Sequence, residues 1–397
     1  MPSFSQVESS HKKPTAQLPV IGVGIVGTGF GQKVHIPGFQ AHPRTQVVAV
    51  YNRDLDQAKL IAQSIGEAIA DTAQHLPEAC DTVEDLVALP QVQAVSISTP
   101  PFLHYEMAKT VLQARKHLLL EKPAALCAAE ARELYHLALA NGVIATLDFE
   151  FRCVPAWQRL AELMSDGYVG QKRLIKIDWL VSSRADASRH WNWYSRKDQG
   201  GGALGALGSH AFDYVTWLFG PVQRLCASLS TAIPTRLDPV TGERKLVDAD
   251  DTCILTLELA DGTPCQVCIS AAVHAPHPHW LEVYGDRGTL VLGSNNQKDY
   301  VHGFHLWAAP SGQPLAEVEI PQRLAFPQTY SDGRIAPFIR VVDRWVRGID
   351  QGQAIAPSLR EGVYSQMLMD LAQTSNFQGR WVDVPELPTF LANGSQT

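Results

Sequence analysis

Residues 21–31 read Ile-Gly-Val-Gly-Ile-Val-Gly-Thr-Gly-Phe-Gly, and this stretch decides the fold. Its apolar, β-branched beginning is typical of a buried strand, and the later glycines predict a sharp turn into a helix. The Gly-x-Gly-x-x-Gly pattern fits in two registers. We favour the one that begins at Gly27, because the one at Gly22 places glycines inside the strand, although Gln32 then replaces the third glycine. Bare backbone can approach a pyrophosphate closely, so a dinucleotide site is favoured over a turn without a ligand.

The order of strand-like and helix-like segments outlines two domains. From residue 19 to residue 148 the two kinds of segment alternate, which predicts βαβ units and a parallel Rossmann sheet. From 149 to 384 strand candidates are separated by turn signals such as Asp261-Gly262, which favours an α+β domain with a large, mainly antiparallel open sheet. Residues 1–18 are expected to form a disordered tail and residues 385–397 a C-terminal tail.

Composition excludes several classes of protein. The 397 residues include 45% hydrophobic ones, which is a globular composition, and the net charge of −7 offers no field that attracts nucleic acid or an anionic membrane. No apolar run approaches the length that spans a bilayer, and a polar N-terminus predicts a cytoplasmic protein. Seven scattered cysteines argue against a disulfide framework, and neither the pair Cys265/Cys268 nor the histidines 274, 277 and 279 predicts a metal site.

The end of the second predicted strand bears on the choice of dinucleotide. An acid at this tip would hold the ribose 2′-hydroxyl of NAD, whereas an arginine would meet the 2′-phosphate of NADP. The tip here offers Asn52 and Arg53, and Asp54 follows where it could cap the next helix. We therefore predict NADP over NAD, with a solvated surface arginine as the alternative for Arg53. Further on, Ser98-Thr99 ends another strand, either bordering the nicotinamide ribose or simply terminating the strand.

Short motifs spread in order from about Val20 to Val384 resemble those of a known family, the Gfo/Idh/MocA oxidoreductases. No motif is specific alone, but the ordered set is. The motifs are Gly27-Thr28-Gly29-Phe30-Gly31 with His35-Ile36-Pro37, Ser98-Thr99-Pro100 with His104, Glu121-Lys122-Pro123, Arg152 with Pro155-Ala156, Gly200-Gly201-Gly202-Ala203-Leu204, Gly208-Ser209-His210 with Asp213, and Gly285 with Gly288-Thr289-Leu290.

The resemblance implies hydride transfer between a nicotinamide cofactor and a sugar, polyol or related hydroxy or keto compound. It also implies an open sheet that mediates a homodimer or homotetramer. The expected cofactor contacts, from the motifs and the strand ends together, are Gly27, Gly29, Phe30, Gly31, Asn52, Arg53, Ser98, Thr99, Pro100, His104, Glu121 and Lys122.

The chemical residues expected from the resemblance are a lysine that touches the substrate hydroxyl and a histidine that exchanges the proton. They correspond to Lys122 and His210. An aspartate often precedes that histidine by four residues, but Ala206 stands there, so the usual relay is incomplete and Asp213 is a possible substitute. The chemistry agrees with these roles, because histidine exchanges protons near neutral pH and a lysine stabilises charge developing on oxygen.

Besides Asp213, which is also a candidate for substrate contact, two further residues are candidates. Arg152 would either reach into the cleft or pair with an acid at the domain junction. Trp193 lies in an aromatic run that suits stacking on a sugar, although a loop covering the core is the alternative. The missing acid at Ala206 also keeps other functions open, namely a C=C or C=N reductase, a dihydrodiol dehydrogenase, or a non-catalytic dinucleotide sensor.

Overall fold

The computed structural model describes residues 18–68, 76–275, 277–296 and 303–392. Residues 1–17 of the expected N-terminal tail lie outside these ranges. In the described part of the chain, no helix is long and apolar enough to cross a membrane.

The N-terminal part forms a parallel sheet of six strands in the order β3-β2-β1-β4-β5-β6. The strand order reverses between β1 and β4, and a ligand crevice is expected at the carboxyl ends there. This confirms the predicted Rossmann architecture. The elements are β1 (Ile21–Val26), α1 (Ile36–Ala41), β2 (Thr45–Tyr51), α2 (Leu55–Ala68), β3 (Glu78–Cys80), α3 (Val83–Ala88), β4 (Ala94–Ile97), α4 (His104–Gln113), β5 (His117–Leu120), α5 (Ala128–Asn141) and β6 (Ala145–Leu147).

The central strands are covered on both faces, so their sequences are apolar throughout. All six residues of β1 and all four of β4 are buried. The alternation of segments in the sequence does not predict the strand β3 or the helix α3. The strand β3 has only three residues, and its first residue, Glu78, is exposed. The fifth helix begins at Ala128, four residues later than the apolar run at Ala124 indicates.

The second part of the chain is built on a nine-stranded sheet in the order β16-β15-β14-β13-β7-β12-β11-β8-β17. Strands β7 and β12 are parallel, and the other neighbours in this sheet are antiparallel, which confirms the expected open, mainly antiparallel sheet. Its elements are α6 (Pro155–Ser165), β7 (Lys172–Leu180), α7 (Ser209–Phe219), β8 (Val222–Ser230), the separate pair β9 (Thr235–Leu237) and β10 (Arg244–Leu246), β11 (Thr252–Leu259), β12 (Pro264–Ser270), β13 (His279–Gly285), β14 (Gly288–Ser294), β15 (Phe304–Pro310), β16 (Ala316–Glu317), α8 (Ile335–Gln351), α9 (Leu359–Gln378), β17 (Val382–Asp383) and α10 (Leu387–Ala392).

One face of this sheet packs against α6 and α7. Trp157 on α6, Tyr214 on α7 and the side chain of Phe151 are buried between the helices and the sheet. Residues along β11 alternate between buried and more exposed positions, as expected for a strand with one covered face. The covered face therefore holds α7, the helix that carries His210, firmly in place.

The C-terminal helices return to the Rossmann sheet. Phe338 of α8 stacks on the imidazole of His35, with ring centroids 4.3 Å apart, and α9 packs against α5. The expected tail from residue 385 is corrected over its described part, because α10 lies there. Leu387 and Leu391, one helical turn apart, are buried in the Rossmann core.

Candidate active site

A cleft of about 750 Å³ lies at the carboxyl ends of β1, β4 and β5, where the two parts of the chain face each other. It brings together most of the residues expected from the sequence. Those lining it are Gly27, Gly29, Phe30, Asn52, Arg53, Ser98, Thr99, Pro100, Glu121, Lys122, Trp193 and His210. The cleft also contains Glu150, Trp179 and Arg334, which were not selected from the sequence.

The glycine turn after β1 has one glycine that packing requires and one that faces open space. Gly27 has a φ of +96°, and a Cβ there would lie 2.8–2.9 Å from backbone atoms of Ser98 and Thr99. A Cβ on Gly29 would meet no atom of the described residues within 4 Å. Gly22 and Gly24 lie within β1 and make room for neighbouring residues. The turn therefore uses the register that begins at Gly27, and the open side of Gly29 fits the close approach of a pyrophosphate.

Side chains at the end of β2 lie where the adenosine ribose of a dinucleotide is expected. The amide of Asn52 donates to the hydroxyl of Thr28, and its oxygen accepts from the backbone N–H of Asp54 at 2.9 Å. The Asp54 carboxylate accepts from the backbone N–H groups of Asp56 and Gln57, and so caps α2. Arg53 lines the cleft and is exposed, so its guanidinium is available to a 2′-phosphate.

His104 and Gly31 lie behind the cleft instead of in its lining, and their predicted contact with the cofactor stays a prediction. The buried ring of His104 lies between two backbone carbonyl oxygens, those of Thr99 and Pro123, each 2.8 Å from a ring nitrogen. It therefore ties the loop after β4 to the loop after β5. A Cβ on Gly31 would lie 2.4 Å from Ser98 Oγ, so Gly31 allows close packing of the turn.

A buried charged triad lies beneath the loop that carries Lys122. The imidazole of His35 contacts Glu121 at 3.1 Å and Asp148 at 3.6 Å, and its other nitrogen bonds Ser96 at 2.8 Å. Burial alone would lower the pKa of His35, but hydrogen bonds and charges from Asp148 and Glu121 raise it to about 9. Burial and the Glu121 charge raise the pKa of Asp148 to about 7. His35 and Lys122 hold the pKa of Glu121 below its ordinary value, although burial acts against this.

The chemical end of the cleft holds Lys122 and His210. The ammonium of Lys122 donates to the carbonyl oxygen of Ala206 at 3.1 Å, and its backbone N–H donates to the Glu121 carboxylate at 3.2 Å. These bonds fix the lysine between the Rossmann sheet and the turn that leads into α7. Burial and the charges of Lys122 and His279 keep the pKa of His210 well below its ordinary value. This shift favours the neutral imidazole, which is the form that can accept a proton.

Comparisons with known proteins identify the family of the chain. Residues 21–149 match the family model described as "Oxidoreductase family, NAD-binding Rossmann fold", and residues 161–384 match its "C-terminal alpha/beta domain". The chain belongs to the Gfo/Idh/MocA oxidoreductase family.

Individual Gfo/Idh/MocA proteins resemble the chain over almost its whole length. An uncharacterized oxidoreductase from Synechocystis sp. is 52% identical over 375 residues, covering 94% of this chain and 99% of that protein. Levoglucosan dehydrogenase from Pseudarthrobacter phenanthrenivorans is 26% identical over 394 residues, covering 92% and 99%. A solved structure of a levoglucosan dehydrogenase with NADH and levoglucosan has a TM-score of 0.82 and 22% identity, covering 92% and 99%. These matches confirm the predicted family and fold, and with them an oxidoreductase.

Two candidates for substrate contact in this Gfo/Idh/MocA protein bind each other instead. Arg152 and Asp213 form a bidentate ion pair, with N–O distances of 2.8 and 2.6 Å, and both side chains are almost fully buried. Neither residue lines the cleft. The expectation of substrate contact is corrected for both, because each satisfies the charge of the other. Arg152 thus pairs with an acid next to the domain junction, and Asp213 is not free to replace the acid missing at Ala206.

Three lining residues missed in the sequence come from separate parts of the chain. Glu150 follows the end of β6, and that position at the carboxyl end of a parallel strand was the one available signal. Trp179 comes from β7 and stacks on His279, with ring centroids 4.3 Å apart. The Arg334 guanidinium lies 4.9 Å from the ring of Phe30 at the cofactor end. Since Arg334 is about 300 residues from that turn, no local pattern could identify it.

Proposed function

We propose that this oxidoreductase transfers a hydride between a nicotinamide dinucleotide and a sugar, polyol or related hydroxy or keto compound. The observation that carries the proposal is that Lys122 and His210 line the same cleft as the open glycine turn. The levoglucosan dehydrogenases that resemble this chain support a sugar substrate, because one was solved with NADH and levoglucosan. Trp179 and Trp193 also line the cleft and offer aromatic faces on which a sugar ring can stack.

The cofactor would lie along the turn from Gly27 to Phe30, with its adenosine ribose toward Asn52 and Arg53 and its nicotinamide toward Lys122. The bound nicotinamide supplies the hydride chemistry. The protein binds and orients the substrate oxygen: the ammonium of Lys122 donates to it and stabilises negative charge there. His210 accepts the hydroxyl proton in oxidation and returns it in reduction.

We infer a preference for NADP over NAD from Arg53. Its exposed guanidinium lies at the end of β2, where a 2′-phosphate would stand, and the acid that follows, Asp54, is used as a helix cap. Titration of the purified protein with NADPH and NADH, followed by nicotinamide fluorescence, measures the preference. Tighter NADPH binding is expected, and equal or tighter NADH binding contradicts it.

We further propose a homodimer or homotetramer formed through the outer face of the large sheet. Trp280 and Trp307 stack there with ring centroids 5.5 Å apart and are only partly covered within one chain. Mass measurement in solution tests this, and a monomer at micromolar concentration contradicts it. A cytoplasmic location stays a prediction.

Activity screening tests the hydride transfer itself. The purified protein is mixed with the preferred dinucleotide and a panel of sugars, inositols and aldehydes, and absorbance of the reduced nicotinamide is followed. Turnover of a hydroxy or keto compound is expected. Because Ala206 removes the usual relay, the panel also includes C=C and C=N substrates and a trans-dihydrodiol. Turnover of these alone selects the reductase or dihydrodiol alternative, and tight dinucleotide binding without any turnover selects the sensor.

A further inference from the structure

The chemical end of the cleft lacks an acid at the position where the family resemblance expects one. Ala206 lies four residues before His210, and its methyl group can neither hold nor release a proton. Its carbonyl oxygen is also engaged, because it accepts the hydrogen bond from Lys122. Asp213 is held by Arg152. The proton that His210 exchanges therefore requires a partner from another segment of the chain.

Glu150 brings a carboxyl group to this imidazole from the loop after β6. Its Oε2 lies 3.9 Å from His210 Nε2, and both side chains line the cleft while being nearly fully buried. This separation exceeds a hydrogen bond in the free protein, and catalytic contacts of this kind commonly shorten when substrate binds. The other imidazole nitrogen, Nδ1, is buried from solvent and has no hydrogen-bond partner among the described residues. Nε2 is therefore the atom through which His210 exchanges its proton.

We propose that Glu150 replaces the missing acid and holds the proton that passes through His210. The inference rests on the proposed function and adds a residue to the same site. In oxidation, the hydride leaves the substrate carbon as proposed above. The substrate O–H bond breaks as an N–H bond forms at His210 Nε2. That N–H bond then breaks as an O–H bond forms on Glu150, whose carboxylate becomes a neutral acid. Reduction follows the same steps in reverse.

The electrostatics of the pair support this direction of transfer. Burial and the nearby Asp148 raise the pKa of Glu150 well above its ordinary value, even though Lys122 acts against the rise. Burial and Lys122 hold the pKa of His210 low. The titratable and charged groups around Glu150 are Glu121, Lys122, Asp148 and His210. These opposed shifts favour the carboxyl group of Glu150 over His210 as the holder of the proton.

Kinetics of four variants test the role. Glu150→Gln keeps the shape of the side chain and removes its acid, so kcat is expected to fall about 100-fold, with little change in KM. The double variant Glu150→Gln with Ala206→Asp has an acid one helical turn before His210. Its kcat is expected to be about 10-fold higher than that of Glu150→Gln alone. Glu150→Asp, which keeps a carboxyl group, should be less impaired than Glu150→Gln. Glu106→Gln, on the exposed surface of α4, is the matched control.

A second readout needs no bound cofactor and no turnover. In protein labelled with ¹⁵N-histidine, the Nε2 signal of His210 is assigned by its loss in His210→Asn. In the native protein this signal should shift with pH as Glu150 titrates, and in Glu150→Gln the inflection should disappear. The pH dependence of kcat in Glu150→Gln should likewise lack the inflection that the titration of Glu150 produces.

The outcomes separate the two proposals. If the native protein turns over no substrate, the proposed hydride transfer fails, and the NMR titration alone decides whether Glu150 and His210 share a proton. The role of Glu150 is overturned by an identical His210 titration in the native protein and in Glu150→Gln. It is also overturned if Glu150→Gln matches the native kcat, or if Glu150→Asp and Glu150→Gln lose activity equally, since that pattern indicates packing.

Discussion

The two ends of the cleft are formed by different kinds of groups, backbone at the cofactor end and side chains at the chemical end. The cofactor end is made mainly of backbone and of the ends of the strands β1, β2 and β4, with the turn from Gly27 to Phe30 at its centre. The chemical end is made of side chains from distant segments, namely Lys122 after β5, Glu150 after β6 and His210 on α7. Backbone geometry is specified by short local patterns, whereas a cluster of side chains exists only once the sheet and α7 have packed together.

The contrast also concerns charge. At the cofactor end the polar groups near the turn are paired or exposed, as Asn52 and Arg53 show. At the chemical end Glu150 and His210 are buried, and their pKa values are shifted in opposite directions. Within the part of the chain that the structure describes, Nδ1 of the histidine has no hydrogen-bond partner. Such opposed shifts are typical of groups that exchange protons. Variants that affect one end and leave the other intact therefore test the division.

The largest effect is expected from Lys122→Met, which removes the ammonium and leaves the glycine turn unchanged. Loss of a group that stabilises charge on the reacting oxygen should lower kcat about 1,000-fold, or roughly 4 kcal/mol. Dinucleotide affinity should change far less. Steady-state kinetics and fluorescence titration measure the two quantities. Lys59→Met, on the exposed surface of α2, is the control, and near-native turnover in Lys122→Met would remove this residue from the chemistry.

Alanine substitutions at Gly27 and Gly29 form a matched pair within the cofactor end. Gly27→Ala is expected to destabilise the fold by about 1–3 kcal/mol, because φ is +96° and the new Cβ would meet the backbone of Ser98. Gly29→Ala should leave the free energy of unfolding within about 0.5 kcal/mol, because its Cβ would enter open space. It should still weaken dinucleotide binding at least about ten-fold by occupying the path of the pyrophosphate.

Denaturant unfolding and fluorescence titration separate these two effects. Native dinucleotide affinity in Gly29→Ala would mean that the pyrophosphate does not approach this turn. Native stability in Gly27→Ala would mean that the turn can relax away from Ser98.

A smaller effect is expected from Arg53→Ala. Loss of the guanidinium should weaken NADPH binding about ten-fold, or roughly 1.4 kcal/mol, and leave NADH binding unchanged. Titration with both dinucleotides measures the ratio. Arg173→Ala, on an exposed position of β7, controls for loss of one positive charge. An unchanged ratio of NADPH affinity to NADH affinity would favour the alternative interpretation of Arg53, a solvated surface arginine.

The comparison of the two ends explains how much could be predicted from the sequence. The strand β1, its turn and the strand ends at Asn52 and Ser98 follow from local patterns, and these patterns gave the fold and most of the cofactor end. Lys122 could be identified because it belongs to the motif Glu121-Lys122-Pro123, which comes at the end of β5. Glu150 could not be identified in this way, because its proximity to His210 arises from the packing of the segment Glu150–Cys153 against α7.

The errors have the same physical origin. Arg152 and Asp213 carry charges that suit a substrate, and only the packed structure shows that they neutralise each other. Arg334 reaches the cofactor end from the start of α8, about 300 residues away. The expected C-terminal tail contains α10, whose two buried leucines are too short a pattern to indicate a helix. Long-range pairing, not local propensity, decided each of these positions.

The smallest effect is expected from the buried triad, which supports both ends of the cleft. His35 has a pKa of about 9 in the folded protein against an ordinary value of 6.5, so the stability it contributes is complete below pH 6.5 and lost as pH rises through 9. The stability that Asp148 contributes is lost at lower pH, as pH rises from its ordinary pKa of 3.8 to its pKa of about 7 in the folded protein. Between pH 7 and 9 the thermal midpoint should therefore fall by about 2 °C, a small shift because the entropy of unfolding grows with chain length.

This fall should be absent in His35→Asn, which cannot hold the second proton, and present in His190→Asn, a control at an exposed position. Thermal unfolding at pH 7, 8 and 9 without ligand measures it. The same slope in His35→Asn and in the native protein would mean that other groups titrate in this range. Because Glu121 of the triad precedes Lys122, a loss of kcat in His35→Asn with unchanged dinucleotide affinity would place the triad with the chemical end. A loss of affinity would place it with the cofactor end.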